Sequence, residues 1–351
     1  MKKVADDKEV EFMKVTTHDI ARVAGVSQST VSIVLNNNTK VSISPETRAL
    51  VLKTAESMGY QFKKRAKSLE QVPVVGLLVP TLSNLYYPFL AQNVEIYAKS
   101  LGLNIVMQNT MRSEAAEAQS FNYLRSIGAQ GILSLFTPKV PIPEDIPTVI
   151  VGEKMPGVDV DTVSLNSYAA GQMATEHLLS LGHKDIAYIS TPFANMTDAR
   201  KKRMEGSRAV MEAAGLEDHL RVLVSENENE GLDSTYEFDC GVKMTEELLK
   251  NHPECTAIIA VNDMTAMGCI SVLNRRGLRI PEDMAICAFD NLYLDKIMSP
   301  QLTSVDQMAF HGCKVGLSIL LEKMKNYSAE DMPVFMEYKP RLHVRGTTVK
   351  K

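Results

Sequence analysis

Val15-Thr16-Thr17-His18-Asp19-Ile20-Ala21-Arg22-Val23-Ala24-Gly25-Val26-Ser27-Gln28-Ser29-Thr30-Val31-Ser32-Ile33-Val34-Leu35-Asn36 reads as two short helices set across each other by a glycine turn. Thr16 and Asp19 stand at capping-box spacing, which satisfies exposed amide donors at a helix start. Ile20, Ala21, Val23 and Ala24 supply one small apolar face. Gly25 can take the left-handed conformation that ends the first helix, and Ser27 caps a second on which Val31, Val34 and Leu35 fall at helical spacing. A small apolar face, a turn glycine and a second cap in this order are the signature of a helix-turn-helix.

The second helix leaves Gln28, Ser29 and Ile33 on the face that the apolar residues do not use. Gln offers a paired donor and acceptor suited to adenine in the major groove, and Ser can serve several bases. Ile33 is apolar, so it touches a thymine methyl or fills space. Beyond this stretch, Asn36 to Ile43 is a polar loop. Ser44-Pro45-Glu46 then reads as cap, first-turn proline and first-turn acid of a third helix, with Val51, Leu52, Ala55 and Met58 on one face and Gly59 as its end.

Charge supports the same reading. The chain has a formal net charge of −4, yet residues 14–67 hold nine Lys and Arg (Lys14 and Lys67 among them) against Asp19, Glu46 and Glu56, giving +6 there and −10 elsewhere. A basic module on an acidic body suits phosphate binding, because cationic side chains release the counterions condensed on DNA. With 351 residues and 45% apolar content the chain can build two or three cores. No apolar run reaches bilayer length and the charged start lacks a signal-peptide core, so a cytoplasmic protein is expected, without membrane contact. Cys240, Cys255, Cys269, Cys287 and Cys313 form no CxxC pair, and read as buried hydrophobes rather than metal or redox groups.

Residues 1–14 are expected to be disordered, and 63–71 (Lys-Lys-Arg-Ala-Lys-Ser-Leu-Glu-Gln) to link head and body. From Val74 the pattern alternates. Strands are predicted at 74–79, 104–108, 131–136, 148–151, 185–190, 222–224, 257–260 and 284–289, with helices at 87–100, 114–127, 170–180, 199–214, 241–250 and 265–275. That alternation implies doubly wound parallel sheets, in two units with a break near Asn166 and chain crossings later. Ligands of such sheets bind beyond the carboxyl ends of the strands, which here carry Asn84 to Tyr87, Thr191 to Arg203, Tyr236, Asn262-Asp263 and Asp290-Asn291. Aromatic, Arg, Asn and Asp side chains suit a polyhydroxylated or heterocyclic molecule. Asp263 reads equally as a helix cap or a ligand contact, and Tyr86 and Tyr87 as stacking or packing rings. His177 and His183 fit neither a zinc site nor a catalytic dyad. GxGxxG, a phosphate loop, HExxH and GxSxG are all missing.

Thr16 to Asn36, Ser44 to Arg48, Met58-Gly59-Tyr60, Ala66 to Leu69, Ser83 to Tyr87, Arg203-Met204-Glu205-Gly206, Asn262 to Gly268, Gly277 to Asp283, Phe289-Asp290-Asn291 and Val344 to Thr347 together resemble the lactose/galactose repressor (LacI/GalR) family of bacterial transcription regulators. The resemblance implies an all-α helix-turn-helix head plus an α/β periplasmic-binding-protein-like body of two doubly wound lobes. Its divisions are a 1–14 extension, a 15–62 DNA-binding head, a 63–72 hinge and a 73–351 effector-binding and dimerisation domain. It implies a non-enzymatic, ligand-controlled regulator, with no cofactor, that binds a pseudo-palindromic operator in double-stranded DNA as a homodimer under control of a sugar-like effector.

Carried onto this chain, the family's DNA-contacting positions are Thr16, Thr17, Ser27, Gln28, Ser29, Thr30, Ser32, Ile33, Asn36 and Lys67, with Leu69 wedging into the minor groove from a hinge helix that orders on DNA. Tyr86, Tyr87, Arg203, Tyr236, Asp263 and Asp290 would line the effector cleft. The chain departs from the family in a longer loop before Ser44, in Leu85 where proline is common, and in Ile33 where a polar residue is usual. The competing readings are a solute-binding protein, which the basic head opposes, and an α/β enzyme acting on a sugar or nucleotide, which the missing catalytic constellations oppose.

Overall fold

The computed structural model describes residues 15–35, 43–60, 72–193, 198–226, 233–328 and 330–348. The chain divides into a unit of residues Met1–Gln71 and a unit of residues Val72–Lys351.

In the first unit, α1 (Thr17–Ala24), α2 (Gln28–Leu35) and α3 (Pro45–Ser57) form a three-helix head. The capping box is made as expected: Asp19 N donates to Thr16 Oγ1 at 3.3 Å, and Thr16 N to the Asp19 carboxylate at 3.0 Å. Gly25 ends α1 with φ +64°, a conformation that costs glycine nothing. Thr30 N donates to Ser27 Oγ and Thr47 N to Ser44 Oγ, so each following helix also starts on a hydroxyl cap. Ile20, Ala24, Val31, Val34, Val51 and Ala55 close the core. Two expected core residues, Val23 and Leu52, are exposed instead. In α1 the inward stripe runs through Ile20 and Ala24, one turn apart; in α3 it runs through Val51 and Ala55, with Thr54 buried beside them.

The second unit holds two six-stranded sheets. The first lobe has β1 (Val74–Val79), β2 (Asn104–Asn109), β3 (Gly131–Ser134), β4 (Thr148–Gly152), β5 (Asp161–Leu165) and β11 (Phe335–Tyr338) in the order β11-β5-β4-β3-β1-β2, all parallel. On one face pack α4 (Tyr86–Ser100) and α10 (Ala309–Lys323), on the other α5 (Glu114–Ser126). The second lobe orders β12 (Arg341–His343), β10 (Thr303–Asp306), β9 (Ala285–Phe289), β8 (Ala257–Ala260), β6 (Ile186–Ser190) and β7 (Leu220–Val224), with only β12 antiparallel. Its faces are covered by α6 (Ser167–Ser180) with α7 (Asp198–Ala213), and by α8 (Tyr236–Asn251) with α9 (Asp263–Arg275). The chain crosses between lobes after β5, after β10 and after β11.

Five elements lie beyond the sequence prediction: β5, β10, β11, β12 and α10. β5 (Asp-Thr-Val-Ser-Leu) lacks a continuous apolar run, yet all five residues are buried, because Asp161 accepts from Val334 N at 2.6 Å and the neighbouring strands satisfy the backbone. α10 carries Gly312 and Gly316, which lower helix propensity but let it lie close on the sheet; a Cβ at Gly316 would stand 3.0 Å from a Leu133 methyl. Several predicted helices start earlier than expected, notably α8 at Tyr236 and α9 at Asp263.

Candidate functional site

In the head, Gln28, Ser29 and Ser32 are exposed on α2, while Thr30 and Ile33 are half-buried. Gln28 Nε2 donates to Thr17 Oγ1 at 3.2 Å, tying the start of α2 to the start of α1. Ser27 Oγ lies 2.7 Å from Ser29 Oγ and 2.8 Å from Thr30 Oγ1. Thr16, exposed, is engaged in the α1 cap. Asn36, Lys67 and Leu69 lie outside the described residues, as do the expected 1–14 extension and the linker through Gln71.

In the body, the carboxyl ends of both sheets face one cleft. Arg203, one turn into α7 and 7% exposed, is its hub. Its Nη1 donates to Val261 O at 2.5 Å, just beyond β8, and its Nη2 to Gln307 Oε1 and, at 3.4 Å, to Asp290 Oδ1. The guanidinium also lies 4.8 Å from the Phe289 ring centroid, within cation–π range. Among the described residues its buried Nε has no hydrogen-bond partner. Asp290 sits at the end of β9 with φ +109°, followed by Asn291 at +53°, and this left-handed bend turns its carboxylate to Arg203. Burial holds the Asp290 carboxyl well above the usual carboxylate range, against the opposing pull of Arg203.

Tyr86 and Tyr87, at the start of α4, meet edge to face at 5.2 Å. Burial, reinforced by Asp290, raises the Tyr86 hydroxyl above its ordinary value. A cavity of about 60 Å³ runs between them and Phe136, Glu153, Arg203 and Gln307.

Polar side chains join the lobes beside this cavity. Asn84, after β1, donates to Glu237 at 2.6 Å; Glu237 also receives Arg200 at 2.7 Å. Lys202 donates to Glu153 at 3.0 Å, and Glu153 in turn accepts from Ser167 N. Gln307 donates to Ser167 Oγ at 2.7 Å, tying together the chain crossings that follow β10 and β5.

The structure therefore brings Tyr86, Tyr87, Arg203 and Asp290 together. Tyr236 is buried at the head of α8, one residue before Glu237. Asp263 is turned away: its carboxylate accepts from Leu292 N at 2.9 Å and Ser304 Oγ at 2.8 Å, inside the second lobe. Nor is it the cap of α9, since Asn262 accepts from Thr265 N. The sequence reading missed Glu237, Glu153 and Gln307 as cleft residues, and had Arg200 and Lys202 only within the 191–203 stretch without singling them out. Glu153, directly after β4, and Arg200, one turn before Arg203, carried a positional signal; Gln307 lay beyond an unpredicted strand and carried none.

A helix-turn-helix head on a two-lobed body, with a cleft at the carboxyl ends of both sheets, defines the class of ligand-controlled DNA-binding regulators. The pattern of the lacI family of bacterial regulatory proteins matches residues 16–62, and that of the periplasmic binding protein-like domain matches residues 175–348. The chain is 32% identical to the HTH-type transcriptional regulator DegA of Bacillus subtilis (strain 168), over 84% of this chain and 87% of that one. It is 30% identical to the HTH-type transcriptional repressor PurR of Vibrio campbellii, over 95% and 99%. The solved complex of the transcriptional regulator CelR with cellobiose shares the fold, with a TM-score of 0.66 and 24% identity over 95% of this chain and 100% of that one. The chain belongs to the LacI family: it is a DNA-binding transcriptional regulator with an effector-binding body.

Proposed function

We propose that the protein is a repressor that binds a pseudo-palindromic operator as a homodimer in the cytoplasm and releases or grips it according to a sugar-like effector held between the lobes. The effector is bound and not converted. Residues 15–62 serve as the DNA-binding head, 63–72 as the hinge and 73–351 as the effector and dimer domain. Gln28, Ser29 and Ile33 meet base edges, Thr16, Thr17, Ser27, Thr30, Ser32, Asn36 and Lys67 contact the DNA beside them, and Leu69 enters the minor groove.

The observation that carries the effector half is Arg203. A buried guanidinium with an unpartnered Nε, faced by Asp290 and flanked by Tyr86 and Tyr87, offers hydrogen bonds of both signs beside aromatic faces. Cellobiose in the CelR complex is a ligand of the expected kind. The closed cavity of about 60 Å³ is below the ~300–1,000 Å³ of ordinary ligand pockets, so entry requires the lobes to part at the three chain crossings. For the dimer, the support is an apolar edge on the first lobe: Leu85, Phe89, Ile96 and Met107 are exposed along α4 and the edge strand β2.

The test is a thermal-shift panel of cellobiose, monosaccharides, phosphosugars and purines, followed by operator titration with each hit. A ligand at one hundred times its Kd should add about 2.7 kcal/mol of stability. A sugar that both stabilises the protein and changes operator affinity, and is recovered unchanged, supports the proposal. Purine hits with no response to any sugar would overturn the effector class, and a monomer by sedimentation on operator DNA would overturn the dimer.

A further inference from the structure

Gln28 does not stand free at the start of α2. One Nε2 proton is directed to Thr17 Oγ1 at 3.2 Å, across the turn from the neighbouring helix. Gln28 itself is exposed and Thr17 half-buried, so the carboxamide is anchored on its protein side and open on the other. An unanchored glutamine can turn its amide end for end, presenting either its oxygen or its NH₂ to a given base atom. Anchored through Nε2, it offers outward one carbonyl acceptor and one remaining N–H, side by side in a fixed order. That order complements adenine, whose major-groove edge sets an N6 donor beside the N7 acceptor; guanine sets two acceptors there.

We propose that Thr17 is a positioning residue for base reading: its hydroxyl holds the Gln28 carboxamide in the orientation that selects adenine over guanine. The inference rests on Gln28 meeting a base edge, and adds how it chooses. The neighbouring hydroxyls do not substitute for Thr17, because Ser27, Ser29 and Thr30 engage one another.

The experiment uses the full chain and an operator obtained by selection from random duplexes. Every base pair is then replaced in turn, and adenines are also replaced by 7-deazaadenine, which lacks the N7 acceptor. The wild-type protein should prefer adenine to guanine at one position in each half-site by roughly 5–150-fold, the discrimination a bidentate pair gives. It should lose part of that preference to 7-deazaadenine. Thr17→Val should reduce the preference to within about threefold and remove the deaza effect at that position alone, while Thr17→Ser restores both. The thermal midpoint should match wild type in Thr17→Val, and loss of the contact that Thr17 itself makes with DNA lowers affinity for all sequences by one common factor, so the adenine-to-guanine ratio at the single position is the readout of positioning, one that a purely structural role would not move.

A Thr17→Val protein with the wild-type base profile, or one weakened equally at every position, overturns the inference. Gln28→Ala distinguishes the levels. If it leaves the profile unchanged, the assignment of Gln28 to a base fails. If it alters one position while Thr17→Val alters none, only the role of Thr17 fails.

Discussion

Arg203 and Asp290 show how a few atoms set the chemistry of the cleft. The guanidinium reaches a backbone carbonyl, an amide and a carboxylate at once, which only a rigid fork of donors can do. Asp290 is almost fully buried, so removing it outright would strand a buried cation. Asp290→Asn keeps the shape and replaces one carboxyl oxygen by an amide donor turned toward Arg203 or the ligand. It should weaken the effector about 10–150-fold, the worth of a charge-assisted bond of ~1.5–3 kcal/mol, and leave operator binding by the unliganded protein intact. Calorimetry reads the first and gel retardation the second; unchanged ligand affinity would move the site elsewhere. Deeper in the second lobe, Asp263 and Asp295 lie together beside Arg345, both fully buried. Burial lifts the Asp295 carboxyl to about 7 and raises Asp263 as well. A folded value above the unfolded one means that protonation favours the native state. Stability from this pair is fully present below about pH 4, the carboxyl range of an unfolded chain, and declines as pH rises through about 7. Asp295→Asn should therefore make the fall of thermal midpoint between pH 4 and 7 shallower; an unaltered slope would exclude Asp295 as its source.

At the scale of elements, the second lobe depends on helices that touch backbone to backbone. A Cβ at Gly268 in α9 would stand 2.1 Å from Phe238 O of α8, and one at Gly171 in α6 would stand 1.9 Å from Arg203 O of α7. Neither neighbour is a flexible side chain, so the helices themselves would have to separate. Glycine normally costs a helix interior about 1 kcal/mol relative to alanine, so Gly268→Ala gains that much in propensity. Overpacking costs typically ~1–3 kcal/mol and more when backbone must move, so the substitution should be net destabilising. Chemical denaturation gives the sign directly. A stabilised Gly268→Ala protein would mean that α8 and α9 are not packed this closely. The α6–α7 contact matters further because α7 carries Arg200, Lys202 and Arg203 into the cleft, so a shift there displaces three cleft cations together.

Across the whole body, the closed lobes are held by groups contributed from both sides: Asn84 with Glu237, and Glu153 with Lys202. Glu153 is nearly buried, and without Lys202 its carboxylate would keep, among the described residues, the Ser167 amide alone. Removing one partner of a buried pair is costly because the other charge stays desolvated. Opening the cleft rehydrates it. Lys202→Ala should therefore shift the body toward an open form, seen as a larger radius of gyration in solution scattering and relieved by effector. Equal radii in mutant and wild type would show that this pair does not hold the lobes. Because a ligand moves a two-state equilibrium only by its differential affinity, the effector's influence on DNA is bounded by how much better it fits one lobe arrangement than the other.

The head could be read from sequence because its determinants are local. Thr16 with Asp19, Gly25, Ser27, and Ser44 with Pro45 act within one or two turns of chain, and each acts as its residue type predicts. The alternating strands and helices of the body followed from apolar runs for the same reason, and Arg203 and Asp290 from their positions after strands. What the chain alone did not reveal depends on partners distant in sequence. β5 is a strand because neighbouring strands and Val334 satisfy its polar residues, and Asp161 and Val334 are 173 residues apart. Asn84 and Glu237 meet across 153 residues, and Asp263 turns away from the cleft because Leu292 N and Ser304 Oγ donate to its carboxylate in the lobe interior. A carboxylate behind a strand looks the same in sequence whether it faces a ligand or a buried amide; which one it meets is decided only when the sheets are assembled, because an unsatisfied buried charge is too costly to leave unmatched.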